Sequence, residues 1–123
     1  MKVRVLVVDD EQIIADTLVQ ILNAFGFNAV AAYSGLDAIA RVRVIPFDAL
    51  ITDVVMSEIS GIDAAIEICA FLPRCKVLLV SGNIRTGDLV KEAISKGHDF
   101  DILAKPVHPS LIINWLRTNV VVN

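Results

Sequence analysis

The sequence predicts an α/β protein with a doubly wound, five-stranded parallel sheet. Apolar, β-branched runs alternate along the whole chain with segments whose apolar residues recur at helical spacing. Several of these runs are almost continuously apolar, as expected for strands that helices cover on both faces. Each connection between runs is long enough to contain a crossover helix, so neighbouring strands are expected to be parallel.

The first half of the chain contains two strand-helix pairs and a third strand. The run that begins at Val5 is the first strand, and apolar residues at helical spacing follow it over residues 13–25. Gly26 is suited to end that helix, because glycine readily adopts the left-handed conformation found after helices. FNAVAAY and FDALITDV are the second and third strands. Between them, Ser34 is a typical N-cap for a helix over residues 35–44.

The second half continues the alternation. Residues 62–72 have the pattern of a helix that Pro73 ends. KVLLVSG and FDILAK are the fourth and fifth strands, with a helix over residues 86–96 between them. The last helix is expected over residues 109–119, since Pro109 suits a first helical turn. Its inner face is expected to consist of Leu111, Ile112, Trp115 and Leu116.

Length and composition exclude several classes of function. The 123 residues are expected to form one domain over residues 1–123. The net charge of -3, with acids and bases interspersed, offers no basic surface for nucleic acid. No apolar run approaches the ~18 residues of a membrane span, and no signal peptide precedes the first strand, so a cytoplasmic location is expected. Cys69 and Cys75 are too far apart for a redox or zinc pair and are expected to be small buried residues.

Polar residues follow four of the five predicted strands. Asp9 and Asp10 end the first strand, Asp53 ends the third, Ser81 ends the fourth and Lys105 follows the fifth. In a parallel sheet these ends lie on one edge, where ligands bind in open α/β folds. If the first and third strands are neighbours, three carboxylates converge there, and their mutual repulsion would drive one pKa upward.

A divalent cation removes this conflict. Mg2+ prefers hard oxygen ligands, and one or two carboxylates with waters are enough to hold it. A lysine ammonium and a serine hydroxyl opposite the metal suit the oxygens of a phosphoryl group. Asp53 stands alone at its strand end, so it is the best candidate for a nucleophile that forms an acyl phosphate. The adjacent Asp9 and Asp10 are better suited to bind the metal.

Four segments together resemble the receiver domain of two-component response regulators. They are VLVVDDE at the first strand, DALITDVVMSEISG at the third, LLVSG at the fourth and LAKP at the fifth. The resemblance covers essentially the whole chain. It implies a flavodoxin-like sheet with strand order 2-1-3-4-5, the order of the chemotaxis member of the family.

The resemblance implies a phosphorylation switch and not an enzyme. Asp53 is implied to accept a phosphoryl group from a histidine kinase or a phosphotransfer protein. Asp9 and Asp10 are implied to hold Mg2+ together with Asp53 and the backbone carbonyl of Val55. The output is expected to be binding to an effector protein or fused domain, or formation of a homodimer, without direct contact to nucleic acid or membrane.

Two further residues acquire roles from the same resemblance. Lys105 is implied to pair with the acyl phosphate, and Ser81 is implied to hydrogen-bond one of its oxygens. The Lys105-Pro106 peptide bond is expected to be cis. Gly82 is expected to leave the phosphoryl donor an open approach.

Two other classes of function share part of this pattern. A haloacid-dehalogenase-like phosphatase also uses an aspartate nucleophile, but it needs a second aspartate two residues later, where this chain has Val55. A receiver-like module that binds partners without phosphorylation is the other alternative, and the complete set of site residues argues against it. A nucleotide-binding relative of the fold would carry a glycine-rich loop after the first strand, and this sequence has none there.

The chain departs from the family pattern after the third strand and within the fifth, and two positions that flank the phosphorylation site are also distinctive. Ser57 stands where the family usually has proline, and Val55 and Asn83 occupy the positions that flank the phosphorylation site. Ile102 stands three residues before the lysine of the fifth strand, where many members carry an aromatic residue that turns inward on activation. Phe100 shares its face of the strand but is expected about 7 Å further from the active edge. We therefore predict that the aromatic swing is absent.

Overall fold

A computed structural model describes residues 2–82 and 86–120, in which five strands and five helices alternate. Asn83, one of the predicted flanking positions, lies outside the described residues. The strands are β1 (Arg4–Val8), β2 (Asn28–Ala32), β3 (Ala49–Asp53), β4 (Lys76–Ser81) and β5 (Asp101–Ala104). The helices are α1 (Gln12–Ala24), α2 (Gly35–Val42), α3 (Gly61–Phe71), α4 (Thr86–Ser95) and α5 (Pro109–Asn119).

The strands form one parallel sheet in the order β2-β1-β3-β4-β5, which confirms the predicted fold. β1 lies between β2 and β3, and its last residue, Val8, is paired with Ala32 on one side and Thr52 on the other. The order of the strands reverses between β1 and β3. In doubly wound folds this switch point opens a crevice at the carboxyl ends of the strands.

Apolar layers cover both faces of the sheet. Successive side chains of a strand point to opposite faces, so Leu6 and Val8 join the layer beneath α2, α3 and α4, while Val5 and Val7 join the layer beneath α1 and α5. All four side chains are buried. Burial on both faces is the physical reason for the continuous apolar run of β1. Within the described residues, no helix has the length and apolar character needed to cross a membrane.

Helices α2 and α3 begin or end within two residues of the predicted limits. α2 ends at Val42, because the residue before Pro46 disfavours the helical conformation and the chain unwinds ahead of it. α3 begins at Gly61, and the Ser60 side chain caps it by accepting a hydrogen bond of 3.1 Å from the Asp63 amide. The helix therefore begins at Gly61, eight residues after the end of β3.

Helix α5 spans the predicted residues, but its inner face differs from the prediction. Leu111 is 51% exposed, whereas Ile113 is 5% exposed and packs inward with Ile112 and Leu116. The face that meets the sheet is centred between positions 112, 113 and 116. At about 100° per residue, position 111 lies roughly 150° from the centre of that face, on the solvent side, so the prediction for Leu111 was wrong.

The two cysteines are free thiols. Cys75 is buried and Cys69 is partly buried, next to the apolar layer of α3. Burial raises the pKa of Cys69. Burial, with smaller contributions from neighbouring Cys69 and Asp48, raises the pKa of Cys75 to about 12. Both thiols therefore remain protonated and behave as small apolar groups, as the sequence indicated.

Candidate functional site at the carboxyl edge of the sheet

The polar residues that follow the strands lie along one edge of the sheet. Asp9 and Asp10 directly follow β1, and Asp53 is the last residue of β3. Ser81 is the buried last residue of β4 and is paired with Ala104 of β5. The backbone amide of Lys105 donates to the carbonyl of Ser81 at 2.9 Å, which places Lys105 at the same edge. The strand ends thus converge as the alternating pattern predicted.

The three acids form a compact cluster. Carboxylate oxygens of Asp9, Asp10 and Asp53 all lie within 4.8 Å of one another. Asp9 is only 4% exposed, and one of its oxygens accepts a hydrogen bond of 2.9 Å from the Glu11 amide, whereas Asp10 is exposed. Three carboxylates at this spacing are the ligand type that a hard cation prefers, so the cluster could bind a metal ion.

Lys105 reaches the cluster from the other side. Its ammonium lies 3.2 Å from an oxygen of Asp53 and 3.3 Å from an oxygen of Asp9. The Lys105-Pro106 peptide bond is cis, as the resemblance implied. One lysine therefore joins the ends of β1 and β3 to the end of β5.

The electrostatic balance of the cluster remains negative. Burial is the main cause that raises the pKa of Asp53, and the charge of Asp9 raises it further, while Lys105 acts in the opposite direction. Burial alone would lower the pKa of Lys105, but the charges of Asp53 and Asp9 outweigh it and leave that pKa raised. Three carboxylates face one ammonium, and an added cation would relieve their repulsion.

The backbone that follows Asp53 is tightly held. The buried hydroxyl of Thr52 donates to the carbonyl oxygen of Asp53 at 3.0 Å, and the Gly61 amide donates to the carbonyl of Val54 at 2.8 Å. A Cβ atom added at Gly61 would overlap the carbonyl oxygen of Asp53. Only glycine therefore allows α3 to begin this close to the end of β3.

Sequence reasoning missed Thr52 and gave Gly61 only as part of the family motif. The signal for Thr52 was a single hydroxyl in an otherwise apolar strand, directly before the acid. The need for Gly61 arises from the approach of α3 to β3, which is a tertiary contact.

The loop between β3 and α3 exposes Val55 to solvent. Val55 has no side-chain oxygen, so only its backbone could contribute to a metal site, and the family resemblance implies this role for its carbonyl. Glu58 has a φ of 71°, in the left-handed region that non-glycine residues rarely occupy.

At the end of β4, a Cβ atom added to the exposed Gly82 would make only an ordinary contact of 3.7 Å with Lys105.

An apolar cavity of about 540 Å³ lies beside the acids, between α1 and α5. Asp9, Asp53 and Lys105 line its polar end, and residues of the sheet and both helices form its walls. Ile13, at its rim, is 82% exposed. The approach to the acidic cluster is therefore bordered by apolar surface that the fold leaves uncovered.

The fold and this edge define a doubly wound α/β domain whose anionic, lysine-paired site lies at the switch point. Comparison with known proteins gives its family. The chain belongs to the response regulator receiver domain family, whose model matches residues 5–117. Receiver domains are regulatory phosphoacceptor domains.

Similar proteins include one of about the same length as this chain and others that are much longer. The chemotaxis protein CheY of Thermotoga maritima is 32% identical over 115 residues, which cover 93% of this chain and 94% of CheY. The transcriptional regulatory protein ZraR of Salmonella typhimurium is 37% identical over 106 residues, which cover 86% of this chain. This match spans only 24% of the length of ZraR.

Solved structures agree on the fold. A CheY-like receiver domain from Methanospirillum hungatei superposes with a TM-score of 0.86 at 21% identity, covering 98% of this chain and 94% of that one. A receiver domain from Clostridium thermocellum gives a TM-score of 0.84 at 26% identity, covering 96% of this chain and 94% of that one.

Proposed function

We propose that this chain is a phosphorylation-dependent signalling switch whose phosphoacceptor is Asp53. The observation that carries the proposal is the position of the Asp53 carboxylate at the switch point of a receiver fold. This carboxylate clusters with those of Asp9 and Asp10, and the Lys105 ammonium lies 3.2 Å from one of its oxygens. The whole of residues 1–123 is proposed to act as one receiver unit.

The reaction is transfer of a phosphoryl group to a carboxylate oxygen. An oxygen of Asp53 forms a bond to the phosphorus of a phosphohistidine, and the phosphorus-nitrogen bond breaks. The imidazole nitrogen keeps that electron pair and leaves, and an acyl phosphate remains on Asp53. Lys105 supplies positive charge to the phosphoryl oxygens, and the Ser81 hydroxyl donates a hydrogen bond to one of them.

The acidic cluster has the donor set for Mg2+. Asp9, Asp10 and Asp53, with the backbone carbonyl of Val55, would hold it. When bound, the ion offsets the negative charge of both Asp53 and the incoming donor. Asp9 is fixed by its hydrogen bond from the Glu11 amide, whereas the exposed Asp10 offers an oxygen on the solvent side.

The proposed donor is a histidine kinase or a phosphotransfer protein, which implies a cytoplasmic location. Exposed Ile13 and Ile14 at the rim of the cavity offer an apolar surface on which such a donor can rest. The proposed output is altered binding to an effector protein, a fused domain or a second copy of the chain. Relatives in which the match is a minor part, such as ZraR, support a fused domain.

The phosphatase alternative needs an acid two residues after the nucleophile. The chain has Val55 at that position, and family membership also favours the receiver function. The second alternative, binding without phosphorylation, does not require Asp9, Asp10, Asp53 and Lys105 to cluster as they do.

The test uses acetyl phosphate and Mg2+ with intact-mass detection. We expect one phosphoryl group on the wild-type chain and none on Asp53→Asn. Asp63→Asn, an exposed acid in the first turn of α3, is the matched control and is expected to label normally. Labelling of Asp53→Asn to the wild-type level would rule out Asp53 as the phosphoacceptor.

A further inference from the structure

The buried polar side chains of the described residues point to a third position beside the site. They are Asp9, Thr52 and Ser81. Two of the three already have proposed roles in the phosphoacceptor site. Thr52 is 1% exposed. Leu50, on the same face of β3, and Val54, which directly follows β3, both belong to the apolar layer. Valine would suit that apolar environment, so packing alone does not explain the hydroxyl.

The hydroxyl has one defined hydrogen-bond acceptor, which is the carbonyl oxygen of the phosphoacceptor itself. Thr52 Oγ1 donates to Asp53 O at 3.0 Å. The pairing of β1 with β3 stops one residue earlier, where Val8 is paired with Thr52. Asp53 therefore lies beyond the β1 ladder, and the threonine hydroxyl provides a donor to its carbonyl oxygen.

Other contacts hold the same stretch of backbone. The Val54 amide donates to the carbonyl of Val80 at 3.2 Å, and the Gly61 amide donates to the carbonyl of Val54 at 2.8 Å. The backbone of Gly61 lies so close to the carbonyl of Asp53 that it leaves no room for a side chain. Thr52, Val80 and Gly61 thus fix the peptide that joins Asp53 to the loop containing Val55.

We propose that Thr52 is a positioning residue of the phosphoacceptor. Its hydroxyl fixes the peptide plane after Asp53 and thereby the relative placement of the Asp53 carboxylate and the Val55 carbonyl. Groups that orient metal ligands from behind influence affinity without touching the ion. The proposal rests on the proposed function, because it concerns the oxygens that would hold Mg2+.

The experiment compares three variants of the full chain by calorimetric titration with Mg2+ and by thermal unfolding. Thr52→Val keeps the shape and removes the hydroxyl, and Thr52→Ser keeps the hydroxyl. Leu50→Val lies two residues away on the same face of β3 and perturbs packing without touching the Asp53 carbonyl. Should Thr52→Val not fold, Thr52→Ala replaces it, with Leu50→Ala as its control.

We expect Thr52→Val to weaken Mg2+ binding about tenfold, the lower end for lost groups that orient metal ligands. Thr52→Ser and Leu50→Val are expected to bind Mg2+ like the wild type, even where their Tm falls. Equal Mg2+ affinity in Thr52→Val and the wild type would overturn the positioning role while leaving the proposed function intact. The positioning role would also be overturned if Thr52→Val and Leu50→Val both lost Mg2+ affinity in proportion to their loss of Tm. A wild-type chain that binds no Mg2+ would instead overturn the metal site and, with it, this role.

Discussion

The two halves of the active edge are built differently. At the ends of β1 and β3 the chain is buried on both faces, and hydrogen bonds fix Asp9 and the backbone after Asp53. At the other end, β5 is four residues long, and Ile102 within it is 40% exposed. A hydrogen bond of 2.8 Å from the Trp115 indole to Asp101 ties this strand to α5.

In the proposed switch, this difference separates phosphoryl transfer from its output. The β1 and β3 half contains Asp9, Asp10 and Asp53, the acids that the family resemblance implied, and the buried strands that precede them hold them in place. The β5 half departs from the family at Ile102 and buries fewer side chains, and sparsely packed elements rearrange at lower free-energy cost. Lys105 belongs to both halves, since its backbone follows β5 while its ammonium contacts Asp53 and Asp9.

The largest effect is expected from removal of this link. Lys105→Ala should still bind beryllofluoride at Asp53, a mimic of the phosphoryl group, because the acids that would hold the metal remain. It should lose the response of α4 and β5, since no ammonium then draws the end of β5 toward the bound group. Amide chemical shifts of these elements with and without beryllofluoride measure the response.

Lys96→Ala is the matched control for this experiment. Lys96 forms an exposed ion pair of 3.1 Å with Glu92 at the end of α4 and does not contact the acids. Its response is expected to equal that of the wild type. A full response of α4 and β5 in Lys105→Ala would show that Lys105 does not couple the two halves.

The acids proposed to hold Mg2+ are expected to provide the next largest effect. Asp10→Ala removes one of three clustered carboxylates and is expected to weaken Mg2+ binding by about tenfold or more. Glu11→Ala removes the next acid in the chain, whose amide caps Asp9 but whose carboxylate is not in the cluster, and should change affinity much less. Calorimetric titration measures both, and equal losses would show that the choice of ligands is wrong.

Removal of the Asp53 charge should stabilise the metal-free protein modestly. The pKa of Asp53 is raised in the folded state, chiefly by burial. A raised pKa contributes stability below the pKa of the unfolded chain, and that stability is lost as pH rises through the folded value. At pH 7 the wild type therefore carries an unfavourable charge that Asp53→Asn lacks, and we expect Tm to rise by a few degrees.

The pH dependence is the control for this interpretation. Below the ordinary carboxyl pKa of 3.8, Asp53 is protonated in both states and the advantage of Asp53→Asn should vanish. Thermal unfolding in a chelating buffer across this range gives the comparison. An advantage that is the same at every pH would show that it does not arise from the charge.

The order of the elements and the location of the site could be predicted from the sequence, because both depend on local patterns. β1 is apolar on both faces, and the acids that follow it mark its end without reference to any other strand. Asp9, Asp10, Asp53, Ser81 and Lys105 could be placed on one edge because parallel strands share an edge.

Features that depend on how the elements approach one another could not be predicted from the sequence. Thr52 resembles any hydroxyl in a strand until α3 closes over the carbonyl of Asp53. Leu111 satisfies helical spacing, but the rotation of α5 about its axis decides which face is inward. Helical periodicity identifies a stripe of residues and leaves its centre undetermined by about one position.

The smallest effect is expected from substitution of Phe100. It precedes β5 and is partly buried against the layer of α3 and α4, with its ring centroid 5.4 Å from that of His98. Ile102, paired with Leu79, occupies the position nearer the active edge. Because Phe100 lies about two strand residues further from Ser81, it is out of reach of space that a moving serine vacates. We therefore expect the same Phe100 rotamer in structures with and without beryllofluoride on Asp53, and an unchanged response in Phe100→Leu. A Phe100 ring that turns inward only in the beryllofluoride complex would show that the β5 half keeps an aromatic switch.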